Sequence, residues 1–319
     1  MIRIFSYSRE SNRMESLSIG DLPRHLADRG RTIWVDLEDP NDEETGVLGG
    51  IFGFHILAVE DCIDDAYLPK LDPYDGYTYM IFHAADPESL DRFHSQKVDV
   101  FIGPNFLVTH HPSEVKGIFD TRGVVAKNPG LLLRSSDWLL HGVLDAMIDN
   151  YLPALDGLEA RVERAERALL DGDAVDVADL VKARRELLLL GDLSQGQLDI
   201  LTELTNESDF VHDDNLVYFR DVGDHLRHIH HRSTHHATLA DAAVSGSGAA
   251  EVGGARTGSK GAAAILAALL PPTAVTSYYS MNITDLPGGE SSQGALMVAV
   301  AAVVYAVGAI VLFRQKRWI

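Results

Sequence analysis

The chain has 319 residues, which is enough for about two domains of ordinary size. Its 47 acidic and 27 basic residues give a formal net charge of −20, which argues against nucleic acid as a partner. An acidic surface keeps a protein soluble and can also concentrate cations. The single cysteine, Cys62, excludes an internal disulfide and is typical of a reducing compartment, and the first ten residues lack the pattern of a signal peptide.

Residues 1–130 predict a compact mixed α/β domain. Four segments rich in aromatic and β-branched residues favour β-strands, namely residues 32–37, 77–84, 97–103 and 105–111. The last two segments flank the turn residues Gly103, Pro104 and Asn105, which predicts a β-hairpin. A helix is predicted after Pro40, between the first two strands.

Residues 131–212 predict long antiparallel helices. In the first of them, apolar residues recur at three-four spacing: Leu155, Leu158, Val162, Ala165 and Leu169. Gly172 interrupts this helix, and a second one is predicted from about residue 175 to residue 206. Residues 213–260 predict a stalk helix that packs with the other two in a coiled-coil-like layer.

The stalk contains a glycine-rich segment, residues 244–261. Each glycine costs about 1 kcal/mol relative to alanine in a helix interior. Two interpretations are therefore open. The segment is a flexible linker, or it is a helix held by packing against symmetry-related copies, which small residues allow to approach closely.

Two uncharged segments predict a transmembrane hairpin over residues 261–319. The run over residues 294–313 is uniformly apolar and, at about 1.5 Å per residue, long enough to cross a hydrocarbon core of roughly 30 Å. The run over residues 261–281 is more polar and carries Pro271 and Pro272, which membrane helices tolerate next to other helices or a water-filled cavity. This composition is typical of a helix that lines a pore.

The flanking charges predict the orientation of the hairpin. Basic residues precede the first span and follow the second: Arg256, Lys260, Arg314, Lys316 and Arg317. The connecting loop carries the acids Asp285 and Glu290 and no Lys or Arg. The positive-inside rule therefore places both chain ends in the cytoplasm and the loop outside the inner or plasma membrane.

The sequence resembles the CorA family of magnesium/cobalt channels over nearly its whole length. The similarity lies in the ordered segments WVDLEDPNDEE, HGVLDAMIDNYLPALDGLEARVE, YFRDVGDHL from Tyr218, LLPPT and YYSMN within residues 269–282, and the RQKRW tail. This resemblance implies an α+β cytoplasmic domain, built as a mixed α/β/α sandwich, followed by the long helices and the two-helix membrane hairpin. It also implies a homopentamer in the lipid bilayer, in which the first membrane helix of each subunit lines a central pore.

The resemblance further implies a selectivity filter at the outer mouth of the pore, formed by Ser280, Met281 and Asn282. Backbone carbonyls and the Asn282 amide would bind a hydrated ion, because Mg²⁺ gives up its waters reluctantly. Counted back from Asn282 at helical spacing, the pore-lining residues are Leu266, Leu270, Thr273 and Ser277.

Two features depart from the family pattern. Ser280 stands where the family has glycine, and its Cβ can alter ion affinity or selectivity. At the inner end of the pore-lining stripe the residues are small or polar, and Arg256 would repel a divalent cation. The usual apolar constriction is therefore not evident, although rings of Leu266 and Leu270 can provide one.

In the family, Mg²⁺ bound between the cytoplasmic domains of adjacent subunits closes the pore. The matching residues are Asp61 and Asp221, with Glu60 beside the first. An ion shared by carboxylates of two subunits would hold a symmetric closed ring. Mg²⁺ is therefore expected as both transported and regulatory ion, with no organic cofactor. The alternative is that these acids are ordinary surface charges.

A histidine-rich segment lies on the stalk. His228, His231 and His235 fall on one helix face, where they can ligate Zn²⁺, Co²⁺ or Ni²⁺. The alternative interpretation is a solvated polar face.

The sequence lacks phosphate-binding, serine-hydrolase and Cys/His catalytic motifs, so an enzyme is not expected. The first functional hypothesis is influx of Mg²⁺, with Co²⁺ and Ni²⁺ as further candidate ions, gated by cytoplasmic divalent ions. The second is transport of Zn²⁺ or another transition metal, as in the related ZntB type. The third is a membrane-anchored metal sensor that does not conduct.

Overall fold

The computed structural model describes residues 1–64, 68–85, 93–207, 210–279 and 292–315, without the side chains of residues 207, 247–262, 278, 279, 292–295 and 298. The chain divides into two compact units, Met1–Val244 and Ser245–Ile319. The first unit contains a β-sheet with helices, whereas the described part of the second is helical.

Seven strands form one mixed sheet in the first unit. They are β1 Ile2–Ser8, β2 Arg13–Ser16, β3 Arg31–Glu38, β4 Lys70–Tyr74, β5 Tyr77–Ala85, β6 Ser95–Ile102 and β7 Phe106–His111. Their order across the sheet is β2-β1-β3-β7-β6-β5-β4. Among these described strands, β3 and β7 pair in parallel and the other neighbours are antiparallel.

The helices follow and interrupt the strands along the chain. They are α1 Leu22–Leu26, α2 Asp42–Gly50, α3 Ile56–Ile63, α4 Lys116–Lys127, α5 Pro129–Leu132, α6 Ser136–Asp149, α7 Tyr151–Asp171, α8 Val177–Glu207, α9 Leu216–Tyr279 and α10 Ser292–Gln315. Short 3₁₀ turns precede α1 and α9, at Ile19–Asp21 and Asp213–Asn215.

Helices cover both faces of the sheet. Every residue of β5 is buried, and successive side chains of a strand point to opposite faces. Met80 and Phe82 join a core with α4, α6, α7, α8 and the beginning of α9. Tyr79 and Ile81 join a second core with α1, α2 and α3. The predicted α/β/α sandwich and the predicted long helices are therefore confirmed.

The four predicted strands correspond to β3, β5, β6 and β7, and the predicted hairpin joins β6 to β7. In its turn, the Gly103 N–H donates a hydrogen bond to the Phe106 carbonyl at 3.0 Å. Strands β1, β2 and β4 were not predicted.

Local signals explain where the helices begin and end. Asn41 caps α2 because its side chain accepts a hydrogen bond from the Glu44 N–H at 2.9 Å, while the Glu44 carboxylate accepts one from the Asn41 N–H at 3.1 Å. Gly172 ends α7 with a φ of 79°, a left-handed conformation that glycine adopts readily. The predicted interruption at Gly172 is thus a helix C-cap.

Helices α4 and α6 approach each other closely at Gly117. A Cβ there would lie 2.6 Å from the Met147 backbone nitrogen, so alanine cannot fit without a backbone shift. We expect Gly117→Ala to lower the free energy of unfolding by about 2 kcal/mol, measured by urea denaturation with circular dichroism. Gly123→Ala on the same helix is the control, because its Cβ would meet nothing within 4 Å, and it should stabilise by up to about 1 kcal/mol. Equal effects of the two changes would contradict this explanation.

The second unit contains the remainder of α9 and helix α10. Helix α9 is continuous through residues 244–261 and through Pro271 and Pro272, so the glycine-rich segment is helical. The Tyr305 hydroxyl on α10 donates a hydrogen bond to the Ala267 carbonyl on α9 at 3.3 Å. Within the described ranges, no helix is both long and apolar enough to cross a membrane.

Candidate metal centre

The beginning of α9 is fixed against the beginning of α6. The Trp138 and Tyr218 rings meet edge to face, with 4.7 Å between their centroids. The buried Asp137 carboxylate accepts hydrogen bonds from the His212 backbone N–H at 2.9 Å and from the Asn215 side-chain amide at 2.8 Å. The two helices therefore present defined faces to each other.

Three metal-ligating side chains converge further along this contact. Asp145 and Asp149 are spaced by four residues on α6 and so share one face. His225 reaches them from α9, with its Nδ1 4.0 Å from Asp149 Oδ1. One ligand atom from each of the three lies within 4.8 Å of the others. We call Asp145, Asp149 and His225 the α6–α9 cluster.

Burial of a carboxylate beside two other acids makes this cluster receptive to a cation. Burial raises the pKa of Asp145, and the charges of Asp149 and Asp221 raise it further, although His141 and His225 partly offset them. Burial also lowers the pKa of His141, whose Nδ1 is buried with no hydrogen-bond partner among the described residues. A cation would relieve the repulsion between the carboxylates.

The donor atoms of the α6–α9 cluster suit a hydrated divalent ion. Mg²⁺ prefers carboxylate oxygens and keeps several waters, which the exposed positions of Asp149 and His225 leave room for. Co²⁺ and Ni²⁺ also accept imidazole ligands. The cluster can therefore hold Mg²⁺ through its two carboxylates, or a transition metal with His225 as an additional ligand.

The predicted regulatory acids lie at two different places in a single chain. Asp221 lies near the α6–α9 cluster, where its charge acts on a carboxylate of the cluster. Asp61 on α3 pairs with Lys70, whose Nζ lies 2.6 Å from Asp61 Oδ2, and Glu60 is exposed beside it. Among the described residues, no ion pair or metal-ligand group joins Asp61 or Glu60 to Asp221. Their pairing between subunits stays a prediction.

The predicted transition-metal ligands on α9 are His228, His231 and His235. All three side chains are exposed. In the part of α9 with described side chains, their ligand atoms do not come within 4.8 Å of one another as a group. His230, from the same segment, has a packing role instead, because its Nδ1 lies 2.8 Å from the Gly191 carbonyl oxygen on α8.

The predicted pore-lining residues lie on α9 in the second unit: Leu266, Leu270, Thr273 and Ser277. All four are exposed in the single chain. The Thr273 hydroxyl donates to the Leu270 carbonyl at 2.9 Å. Five other predicted site residues lie outside the described residues: Ser280, Met281, Asn282, Asp285 and Glu290.

Asp145, Asp149 and His225 were not predicted as ligands. The spacing of the two aspartates in the sequence HGVLDAMIDN does indicate that they share a helix face. The approach of His225 has no local signal, because it depends on the packing of two helices that are far apart in the chain.

Comparisons with known proteins agree with this fold. The model of the CorA-like Mg²⁺ transporter protein family matches residues 29–249. The chain is 32% identical to the putative metal ion transporter YfjQ of Bacillus subtilis, over 60% of this chain and 60% of that protein. It is 20% identical to the cobalt/magnesium transport protein CorA of Thermotoga maritima, over 100% of this chain and 92% of that protein. The match thus spans less than two thirds of the Bacillus relative and most of the Thermotoga relative.

Solved structures share the architecture. The complete CorA magnesium transporter from Methanocaldococcus jannaschii superimposes with a TM-score of 0.85 at 20% identity, covering 100% of this chain and 99% of that chain. The ZntB cytoplasmic domain from Vibrio parahaemolyticus gives 0.60 at 14% identity, covering 77% of this chain and 96% of that chain. At these identities the likeness establishes the fold alone. The family model, however, extends over residues 29–249, more than half of the chain, and the protein therefore belongs to the CorA-like Mg²⁺ transporter family.

Proposed function

We propose that this chain forms a channel that carries Mg²⁺ into the cell, with Co²⁺ and Ni²⁺ as further candidate ions. The observation that carries the proposal is the family match over residues 29–249, because the family transports metal ions and does not consist of enzymes. Moving two charges inward is worth roughly 4.6 kcal/mol per 100 mV, so the membrane potential is a sufficient energy source.

The C-terminal part of the chain is proposed to enter the plasma membrane as a two-helix hairpin, over residues 261–281 and 294–313. The support comes from the sequence: the second run has no charged residue over a length that matches the hydrocarbon core, and basic residues flank the hairpin. Both chain ends then lie in the cytoplasm. Two helices cannot enclose a pore, so several copies must assemble, and a homopentamer is the proposed assembly.

Ion selection is proposed at Ser280, Met281 and Asn282, where neutral oxygens would hydrogen-bond the hydration shell of Mg²⁺ without removing it. Below this filter, Leu266 and Leu270 would form the apolar rings of the pore. Both side chains are exposed in the single chain, so they are available to line a channel between copies.

Cytoplasmic Mg²⁺ is proposed to close the channel by binding to the first unit. The α6–α9 cluster supplies two carboxylates and an imidazole, with Asp221 near it. Asp61 and Glu60 of a neighbouring copy would complete a site shared between subunits. Lys70 competes with Mg²⁺ for Asp61, because its ammonium group already neutralises that carboxylate.

The test is Mg²⁺ influx into proteoliposomes loaded with a fluorescent indicator. The wild-type chain should conduct at low internal Mg²⁺, and Asn282→Ala should abolish the flux. If the wild-type chain shows no Mg²⁺ influx and Ser280→Gly restores it, the filter of the wild-type chain serves another ion. If neither chain shows Mg²⁺ influx at any internal Mg²⁺ concentration, the proposal of a channel is overturned and a membrane-anchored metal sensor is favoured.

Transport of Zn²⁺ is the second candidate function. Ser280 favours it, because the Cβ at the position of the family glycine changes the filter. The ZntB cytoplasmic domain shares the fold but at 14% identity carries no argument about the ion. In the same flux assay, a chain that carries Zn²⁺ should show Zn²⁺ influx and inhibition of Mg²⁺ influx by Zn²⁺. Absence of both effects would eliminate this candidate.

A further inference from the structure

A second group of metal-ligating side chains lies inside the first unit, away from the α6–α9 cluster. Cys62, Asp99 and His110 are all buried, and one ligand atom from each lies within 4.8 Å of the others. Cys62 belongs to the core that packs against α1, α2 and α3, on the opposite face of the sheet from α6 and α9. Asp99 and His110 lie on that same face, because they alternate in phase with Phe101 and Val108 of this core. Neither the sequence motifs nor the proposed transport function uses them.

The fold brings these three residues together by strand register and helix packing. Asp99 on β6 and His110 on β7 are direct cross-strand partners, so their side chains lie on the same face of the sheet. Asp99 Oδ2 and His110 Nδ1 are 3.1 Å apart. Cys62 covers the pair from α3.

The other oxygen of the Asp99 carboxylate, Oδ1, is already held in place. The Tyr79 hydroxyl donates to Asp99 Oδ1 at 2.7 Å, and Lys97 Nζ lies 3.1 Å from the same oxygen. Oδ2 is therefore the oxygen left to face His110. Supporting bonds of this kind orient a ligating carboxylate, as they do around known metal sites.

A cavity connects the group with the surface. It has a volume of about 250 Å³, and Cys62, Asp99 and His110 contribute to its lining. Three exposed acids also line it, Asp39, Asp42 and Asp64. Among the described lining residues, Lys97 carries the only positive side chain. The cavity is thus large enough for waters and acidic where it meets solvent, which favours entry of a cation.

We propose that Cys62, Asp99 and His110 form a binding site for a transition-metal ion of the Zn²⁺ or Co²⁺ type, with a water from the cavity as the fourth ligand. A sulfur, an imidazole nitrogen and a carboxylate oxygen select such ions over Mg²⁺, which prefers oxygen ligands alone. In a tetrahedral site, metal–ligand distances of about 2.0–2.3 Å place the ligand atoms roughly 3–4 Å apart. The observed group needs only a small contraction to reach this geometry.

Binding must displace one proton from sulfur. Burial raises the pKa of the Cys62 thiol, and the nearby charge of Asp99 raises it further, so the ion-free group is a thiol. The metal forms a bond to the sulfur, and the S–H proton leaves to solvent through the cavity. The proton that His110 Nδ1 donates to Asp99 Oδ2 moves to Nε2 of the same ring as both atoms turn to the metal, and no electron is transferred.

The test uses Co²⁺ titration of the full-length chain in detergent, followed by absorption spectroscopy. A thiolate–Co²⁺ bond produces an intense near-ultraviolet charge-transfer band, and Cys62 is the only cysteine of the chain. We expect this band in the wild-type chain, its loss on addition of Zn²⁺, and its persistence in excess Mg²⁺. Absence of the band at saturating Co²⁺ would overturn the proposal.

Two variants and one control locate the site. Cys62→Ser should abolish the band, and His110→Gln should weaken Co²⁺ binding by at least about tenfold. Asp145→Asn combined with Asp149→Asn should leave the band unchanged, because the α6–α9 cluster contains no sulfur. Circular dichroism verifies that each variant is folded, and His110→Gln decides the question if Cys62→Ser is not. A band that survives in Cys62→Ser, or affinity unchanged in His110→Gln, would contradict the assignment.

Discussion

Arg122→Met is expected to lower the free energy of unfolding by about 3 kcal/mol, because it leaves a buried carboxylate without its arginine partner. Arg122 on α4 donates hydrogen bonds to Asp36 Oδ2 at 2.9 Å and to Glu38 Oε2 at 2.6 Å. Asp36 is fully buried. Arg3 keeps its bond to Glu38 but lies 3.8 Å from Asp36, so it compensates only in part for the loss of Arg122. The expected loss of stability therefore falls at the lower end of the range that is usual for breaking a buried ion pair.

The remaining partners of Asp36 hold its position. Its Oδ1 accepts a hydrogen bond from the Thr109 hydroxyl at 2.7 Å and lies 3.0 Å from His111 Nε2. The Trp34 indole N–H donates to the Thr109 hydroxyl at 3.1 Å. This network links β3 to β7, the parallel pair at the centre of the sheet, and Arg122 ties it to α4.

The pH dependence of this effect follows from the pKa of Asp36. Burial alone would raise that pKa, but hydrogen bonds from His111 and Thr109 and the charges of His111 and Arg122 lower it below its ordinary value. A carboxyl group with a lowered folded-state pKa stabilises the fold above its unfolded-state pKa of about 3.9 and loses that contribution as the pH falls through the folded-state value. The difference between wild type and Arg122→Met should therefore be complete at neutral pH and shrink below about pH 4.

Urea denaturation followed by circular dichroism, at neutral and at acidic pH, measures both effects. The control is Arg167→Met on α7, which removes an exposed pair with Glu163 and should change stability by less than about 0.5 kcal/mol. A loss for Arg122→Met no larger than that of the control at neutral pH would show that the buried network does not depend on Arg122.

The strands that could be predicted are those in the middle of the sheet. β5 is buried on both faces and is correspondingly rich in aromatic and β-branched residues. The two edge strands were not predicted because they lack this composition. β1 was also missed, although it lies between β2 and β3 and contains Ile2, Ile4 and Phe5. β2 is short and partly charged, and β4 carries Pro73, which is tolerated at an edge because its missing N–H faces away from the sheet.

The candidate sites could be predicted from the sequence even less well than the edge strands. Amphipathic spacing predicted the helix that carries Leu155 and Leu158, but no spacing relates Asp149 to His225 or Cys62 to Asp99. Their proximity arises from helix packing and strand pairing over long chain separations. The proposed filter residues rest only on resemblance to a family, because a backbone-carbonyl site leaves no periodic pattern in one sequence.

Replacement of both aspartates of the α6–α9 cluster, Asp145→Asn with Asp149→Asn, is expected to remove the stabilisation of the protein by Mg²⁺. At a Mg²⁺ concentration of 100 times the dissociation constant, the wild-type free energy of unfolding should rise by about 2.7 kcal/mol, and that of the variant by almost nothing. Thermal or urea unfolding with and without Mg²⁺ measures this difference. In proteoliposomes, the variant should conduct at internal Mg²⁺ concentrations that close the wild-type channel.

The Mg²⁺-free proteins provide the control for folding. Because burial and the neighbouring carboxylates raise the pKa of Asp145, its charged form is disfavoured in the fold, and stability from this group is greatest below its ordinary pKa and falls as the pH rises through the raised value. Asparagine resembles the protonated acid, so without Mg²⁺ the variant should be at least as stable as the wild type at neutral pH. A variant that is less stable without Mg²⁺ would show that the aspartates support the fold directly. A variant that still gains the full 2.7 kcal/mol or so from Mg²⁺ would place the stabilising ion elsewhere, with Asp61, Glu60 and Asp221 as the next residues to replace.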